Sequence, residues 1–145
     1  MSISSLLLST FELDIAAIDD EHRALLRAID ELNFNARIAV ASPWFRSWQR
    51  RFAALCAAHF AAEEAWMSAH GIPEPLRLRH AQEHARMLRE AEEGSGAIVA
   101  HGIVAAGDVY KLMKVEFFKH FIRFDIELKP HAAPQPSLVS QGEPA

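Results

Sequence analysis

Ala57-Ala58-His59-Phe60-Ala61-Ala62-Glu63-Glu64-Ala65-Trp66-Met67 and, past a Gly71-Ile72-Pro73 break, His80-Ala81-Gln82-Glu83-His84 form the stretch from which the fold is read. Both segments read as helices. Residues four apart on a helix stand ~40° from one another around the axis, so their side chains can aim at one point. His59 with Glu63 is one such chelating pair, and His80 with His84 is another. Imidazole nitrogen combined with carboxylate oxygen suits iron, manganese or zinc and does not suit calcium or magnesium. Two pairs on successive helices supply four ligands from opposite sides of a bundle core.

Working outward, Ser42 as N-cap and Pro43 at the first helical position predict that the His59 helix starts there and runs to about Ala69. Phe45, Trp48, Phe52, Leu55, His59, Ala62 and Trp66 step by three and four along one face, which points His59 into the core. Gly71 closes that helix, and the next runs from about Pro75 to Glu93 with Leu76, His80, His84, Met87, Leu88 and Ala91 inward. Upstream, Asp19 reads as the N-cap of a helix from Asp20 to about Val40. Its stripe of Ile18, Leu25, Leu26, Ile29, Leu32 and Ala36 includes His22, while Glu21, Arg23, Arg27 and Asp30 lie mostly off it. Downstream, 97–107 reads as a loop that winds toward the next helix. Asp108 is expected to cap a fourth helix to about Leu128, ended by Pro130, with Val109, Met113, Phe117, His120, Phe124 and Leu128 inward and Glu116 and Asp125 beside them.

The expected architecture is all-α: an up-down-up-down four-helix bundle with an N-terminal arm over residues 1–18, pinned by Phe11, Leu13, Ile15 and Ile18. The domain is expected to span 1–130. The proline-rich tail 131–145 is expected to be disordered. A chain of 145 residues fits one domain with a real core.

Half the residues are hydrophobic, yet no run approaches the ~20 apolar residues of a membrane span. The N-terminus lacks a basic segment before its short apolar stretch, so an export signal is not expected. Cys56 is the only cysteine, so no internal disulfide can form, and a reducing cytoplasm is the expected compartment. A net charge of −4 with scattered basic residues argues against nucleic acid as a partner.

Every helix contributes a donor: His22, then His59 and Glu63, then His80 and His84, then His120 and Asp125. The last pair is five apart, an offset that a carboxylate leaning across to bridge two metals tolerates. One histidine on an apolar face is ordinarily a hydrogen-bonded core residue, and a lone four-spaced His-Glu pair is common on exposed helices. Seven donors on four inward faces are different, because burying them without a metal costs several kcal/mol of desolvation. Five histidines and two carboxylates are too many for one ion and fit two metals that share carboxylates. His70, His101 and His131 fall at a helix end, in a loop and in the tail, and read as exposed. Glu64 reads as exposed or as a partner to a ligand, and Cys56 as a small apolar filler.

In Ile18-Asp19-Asp20-Glu21-His22, His59 to Met67, His80 to His84 and His120-Phe121-Ile122-Arg123-Phe124-Asp125, the chain resembles the hemerythrins, in particular the single-domain bacterial members, from about residue 11 to 128. The resemblance implies two non-haem irons (Fe2+/Fe3+) held by His22, His59, Glu63, His80, His84, His120 and Asp125. Glu63, Asp125 and an oxo or hydroxo group would bridge them, with three histidines on one iron and two on the other. It further implies end-on dioxygen binding, as hydroperoxide, at the open position of the two-histidine iron. Carriage, storage, delivery or sensing of oxygen would follow, in a monomer or weak homo-oligomer with a redox or delivery partner left open.

The family usually has a Trp-Leu pair ending three residues before the fourth-helix histidine, and this chain has Glu116-Phe117. Phe117 would then occupy the place of the leucine over the dioxygen pocket. Glu116, four before His120, either faces the site as an extra ligand or proton donor, or turns outward to pair with Lys119 or an arginine on a neighbouring helix. The first option supports an alternative, a di-iron enzyme handling peroxide, nitric oxide or iron oxidation. A third reading is simple metal binding. A structural zinc site is disfavoured, since it uses four ligands and commonly cysteine.

Overall fold

A computed structural model describes residues 12–93 and 102–132. The described chain is all-α: α1 (Ala16–Phe34), α2 (Pro43–Ala69), α3 (Glu74–Glu93) and α4 (Ala106–Arg123) pack as a four-helix bundle, with no strand among the described residues. A 3-10 turn (Asp125–Leu128) and one further turn, α5 (Lys129–Ala132), follow α4. α1 packs against α2 and α4, and α2 against α3. No described helix is long and apolar enough to cross a membrane. Residues 1–11, 97–101 and 133–145, where parts of the expected arm, loop and tail fall, lie outside the described residues.

α2 begins as its sequence dictates. The Ser42 side chain accepts a hydrogen bond from the Phe45 N–H at 3.2 Å, and Pro43 stands where no backbone donor is needed. At its other end Gly71 takes φ 67°, a left-handed conformation that glycine adopts without steric cost. Its buried face runs Phe45, Trp48, Phe52, Cys56, His59, Phe60, Glu63 and Met67. Leu55 and Ala62, expected inward, are instead exposed. Over so long a helix the 3.6-residue repeat outruns a fixed alternation of three and four, and Cys56, Phe60 and Glu63 rotate onto the core side.

Four boundaries differ from expectation. α1 starts at Ala16, so Asp19 is not an N-cap; it is buried inside the first turn, and its Oδ1 accepts the Leu13 N–H at 2.9 Å. Asp14 turns the chain with φ 63°, and Leu13 and Ile15 on either side are both buried. α1 ends at Phe34 rather than near Val40, because 38–40 leave the helix to hydrogen-bond the segment before α4: Val40 N–H to Val104 O at 2.9 Å and Ala106 N–H to Ile38 O at 2.8 Å. α4 therefore starts at Ala106, and Asp108 lies in its first turn, where its charge favours the helix N-terminus. Pro130 does not end the chain's helical course; it falls at the start of α5, where a missing N–H is harmless.

Two apolar clusters fill the bundle. One gathers Leu25, Ile29, Leu32, Trp48, Phe52, Cys56, Phe60, Met87 and Val109 among others. The other gathers Leu13, Ile15, Ile18, Met67, Ile72, Phe121 and Leu128. On every helix the histidine falls between residues of these two clusters, so a polar layer is closed off by hydrocarbon on either side.

Candidate metal centre

The polar layer brings together all seven expected donors. Glu63, His80, His84, His120 and Asp125 form one group whose donor atoms lie within 4.8 Å of one another, and His22, His59 and Glu63 form a second. Glu63 is fully buried, and His59, His80, His84, His120 and Asp125 are nearly so. His22 is the partly exposed member.

Each carboxylate shows one oxygen to each group. Glu63 Oε1 lies 2.7 Å from His80 Nε2 and 3.2 Å from His84 Nε2. Its Oε2 lies 3.3 Å from His59 Nε2 and 3.6 Å from His22 Nε2. Asp125 Oδ1 lies 2.9 Å from His80 Nε2 and 3.0 Å from His120 Nε2, while its Oδ2 lies 3.3 Å from His22 Nε2. The five-residue offset of Asp125 from His120 has a structural answer. The helix breaks at Phe124 (φ −125°, ψ −58°), and Asp125 opens the 3-10 turn, which carries its carboxylate back into the layer.

His80 Nε2 and Asp125 Oδ1 make a hydrogen bond at 2.9 Å, but most of this proximity is not hydrogen bonding. His22 Nε2, both Glu63 oxygens, His84 Nε2 and both ring nitrogens of His120 are buried without a hydrogen-bond partner. Buried polar groups left unmade are costly, and six in one place require a common explanation. Donors that crowd one another at 2.7 to 3.6 Å, most of them without aligning, are arranged as ligands around a cation are. The residues present therefore fit a metal, and the two groups sharing Glu63 fit two ions.

Outside the layer, acceptors hold the far nitrogens of two histidines. His59 Nδ1 lies 3.1 Å from Glu21 Oε1, and His84 Nδ1 lies 2.8 Å from Glu64 Oε2. Such a partner fixes the ring so that Nε2 is the metal-facing atom. The role of Glu21 was not legible from helical periodicity, which set it off the apolar stripe. Its only signal was its place beside His22. Phe60 stacks on His84 with centroids 4.2 Å apart, and Phe124 stacks on His120 at 5.3 Å.

Without a metal, the layer holds charge of both signs. Burial works against a charged His22, yet the nearby Asp125 and Glu63 carboxylates raise it to about 10. His80, opposed by burial in the same way, is raised by the same two carboxylates to about 9. Burial pushes Glu63 up, but the surrounding imidazoles of His22, His59, His80 and His84 bring it well below its ordinary value. Asp125 is likewise lowered, with burial and the Glu63 charge overcome by His120 and His22.

Glu116 is not within the donor groups. Its Oε2 lies 3.5 Å from Arg86 Nη2 of α3. Arg86 also binds Glu83 at 2.5 Å and Glu90 at 3.0 Å. With Phe117, Glu116 lines a cavity of about 110 Å³ whose other walls include Phe52, Cys56, Met87 and Met113. Phe117 meets the Phe52 ring edge-on at 5.7 Å. Of the three histidines read as exposed, His70 and His131 are so and His101 lies outside the described residues.

No protein family, curated protein or solved structure matches the chain. What can be stated of its class rests on the bundle and its buried cluster of histidines and carboxylates, which can hold metal.

Proposed function

We propose that the protein is a non-haem di-iron protein of the hemerythrin kind that binds dioxygen for carriage, storage, delivery or sensing. The observation that carries this reading is the division of Glu63 and Asp125, each with one oxygen toward the three-histidine group and the other toward the two-histidine side. His80, His84 and His120 would hold one iron, and His22 and His59 the other. Histidine-rich nitrogen and oxygen ligation suits iron, and the unequal histidine count would give the second ion fewer protein ligands. Held by these residues, an iron pair would supply two reducing electrons, which is the chemistry reversible dioxygen binding needs.

The chain's own residues supply the remainder. Glu21 and Glu64 hold two imidazoles in the ligating tautomer. The apolar clusters on either side keep bulk water, and with it protons, away from the centre. The small cavity beside Phe117 lies one helical turn from His59, His84 and His120 and has room for a molecule the size of dioxygen.

The competing reading is an enzyme acting on peroxide, nitric oxide or ferrous iron, and the carboxylate of Glu116 in the cavity wall is what favours it. Visible spectra separate the two. Iron-loaded protein is reduced without air and then given oxygen. A charge-transfer band that persists and vanishes when oxygen is removed supports binding. Rapid passage to a stable diferric spectrum supports the enzyme, and Glu116→Leu should then slow turnover. If no iron-dependent band appears, the di-iron reading fails.

A further inference from the structure

All four lysines of the chain, Lys111, Lys114, Lys119 and Lys129, fall on α4 and the turns after it, although the chain carries a net charge of −4. All are exposed, as is Arg123. Lys111, Lys119 and Arg123 make no ion pair among the described residues. The carboxylates along this part of the chain do not answer them: Glu116 faces Arg86, Glu127 is bound by Arg79 at 2.9 Å, and Asp108 stands in the first turn. Between the cations runs an apolar stripe of Val115, Phe118, Ile122 and Ile126, each between 37% and 46% exposed. Val115, Phe118 and Ile122 step by three and four on the side of α4 turned away from buried His120, and Ile126 follows in the 3-10 turn.

We propose that this outer face of α4 docks an acidic one-electron carrier protein; the proposal rests on the di-iron reading above. Charge complementarity names the partner, since unanswered lysines on an otherwise acidic protein attract an acidic surface and repel nothing on it. Lysines on flexible stems around a modest apolar strip suit a small, transient contact of the electron-transfer kind. Position names the purpose. A carrier on this face is one helix away, ~10 Å, from His120. Each encounter passes one electron inward, so the carrier is oxidised by one electron and two encounters reduce the metal pair.

The probe is a plant-type [2Fe–2S] ferredoxin, an acidic carrier. Titrating 15N-labelled full-length protein with oxidised ferredoxin should shift amides along 111–126, with the shifts fading as salt rises. Reduced ferredoxin should reduce the iron-loaded protein at least about tenfold more slowly after Lys111→Glu/Lys119→Glu, and no more slowly after Arg50→Glu/Arg89→Glu at exposed positions of α2 and α3. Dithionite reduction to the same final extent in every variant ensures that the rate reads docking. A salt-independent rate, equal slowing by both double variants, or self-association through α4 that Lys119→Glu abolishes each overturns the proposal. Should the chain hold no iron, the amide titration still tests docking, so the two failures are told apart.

Discussion

Glu64 Oε2 lies 2.8 Å from Nδ1 of His84, so the residue next to fully buried Glu63 grips the back of a histidine whose front edge faces Glu63. One helix thereby supplies both a shared carboxylate and the partner that orients a ring from α3. Replacing Glu64 by Gln should weaken metal binding about 10- to 100-fold, the usual cost of losing an outer partner of a ligating histidine. Competition with a chelator of known affinity at fixed pH reads this directly. Because Glu64 is 41% exposed, chemical denaturation of the metal-free variant should differ from the parent by no more than ~0.5 kcal/mol. Unchanged metal affinity would mean that the hydrogen bond does not hold the ring.

Glu63 should behave in the opposite way. In the metal-free protein it is the carboxylate on which His22, His59, His80 and His84 all converge. Glu63→Ala leaves those buried rings without it, and breaking a buried pair from one side costs about 3–5 kcal/mol. Urea denaturation of the metal-free variant should show that loss, whereas Glu63→Gln, which keeps the volume and an acceptor, should lose less. Equal stability of the parent and Glu63→Ala would show that the imidazoles repartner freely.

The convergence of the seven donors was legible in the sequence because helical spacing fixes direction. His59 with Glu63 and His80 with His84 needed only a period of 3.6 residues to be aimed together, and Ser42 and Gly71 bounded the helix of the first pair. What stayed hidden depended on where the chain leaves the helical course and on contacts between helices. Asp19 has the right type for a helix cap, and only the fold of 13–15 shows that it serves the Leu13 N–H instead. Asp125 looked misaligned because local spacing gives no sign that the helix breaks at Phe124. Glu21 lies off the apolar stripe, and periodicity within its own helix gives no sign of His59, which comes from another helix.

The correction at Asp19 has a measurable consequence. Asp19→Ala removes the acceptor from a buried N–H, which costs about 1–3 kcal/mol. The loss should appear at the arm rather than the helix start: hydrogen exchange at Leu13 should accelerate far more than at residues 20–23. Protection lost equally at both places would restore Asp19 to a capping role.

pH should act in opposite directions on stability and on metal binding. His22 and His80, raised to about 10 and about 9 from 6.5, contribute stability to the metal-free fold that is complete below pH 6.5 and disappears as pH climbs through those values. Glu63 and Asp125 are lowered, so their contribution is present above their ordinary 4.5 and 3.8 and is lost in acid. The metal-free protein should therefore be most stable between about pH 5 and 6.5 and weaken steadily toward pH 10. A ligating imidazole must shed its proton, so affinity for metal should rise across the same interval in which the empty fold weakens. Denaturation of metal-free and metal-loaded protein at pH 6 and pH 9 tests both. The gap between the two forms should widen at pH 9, and a gap that narrows would show that His22 and His80 are not the groups released when metal binds.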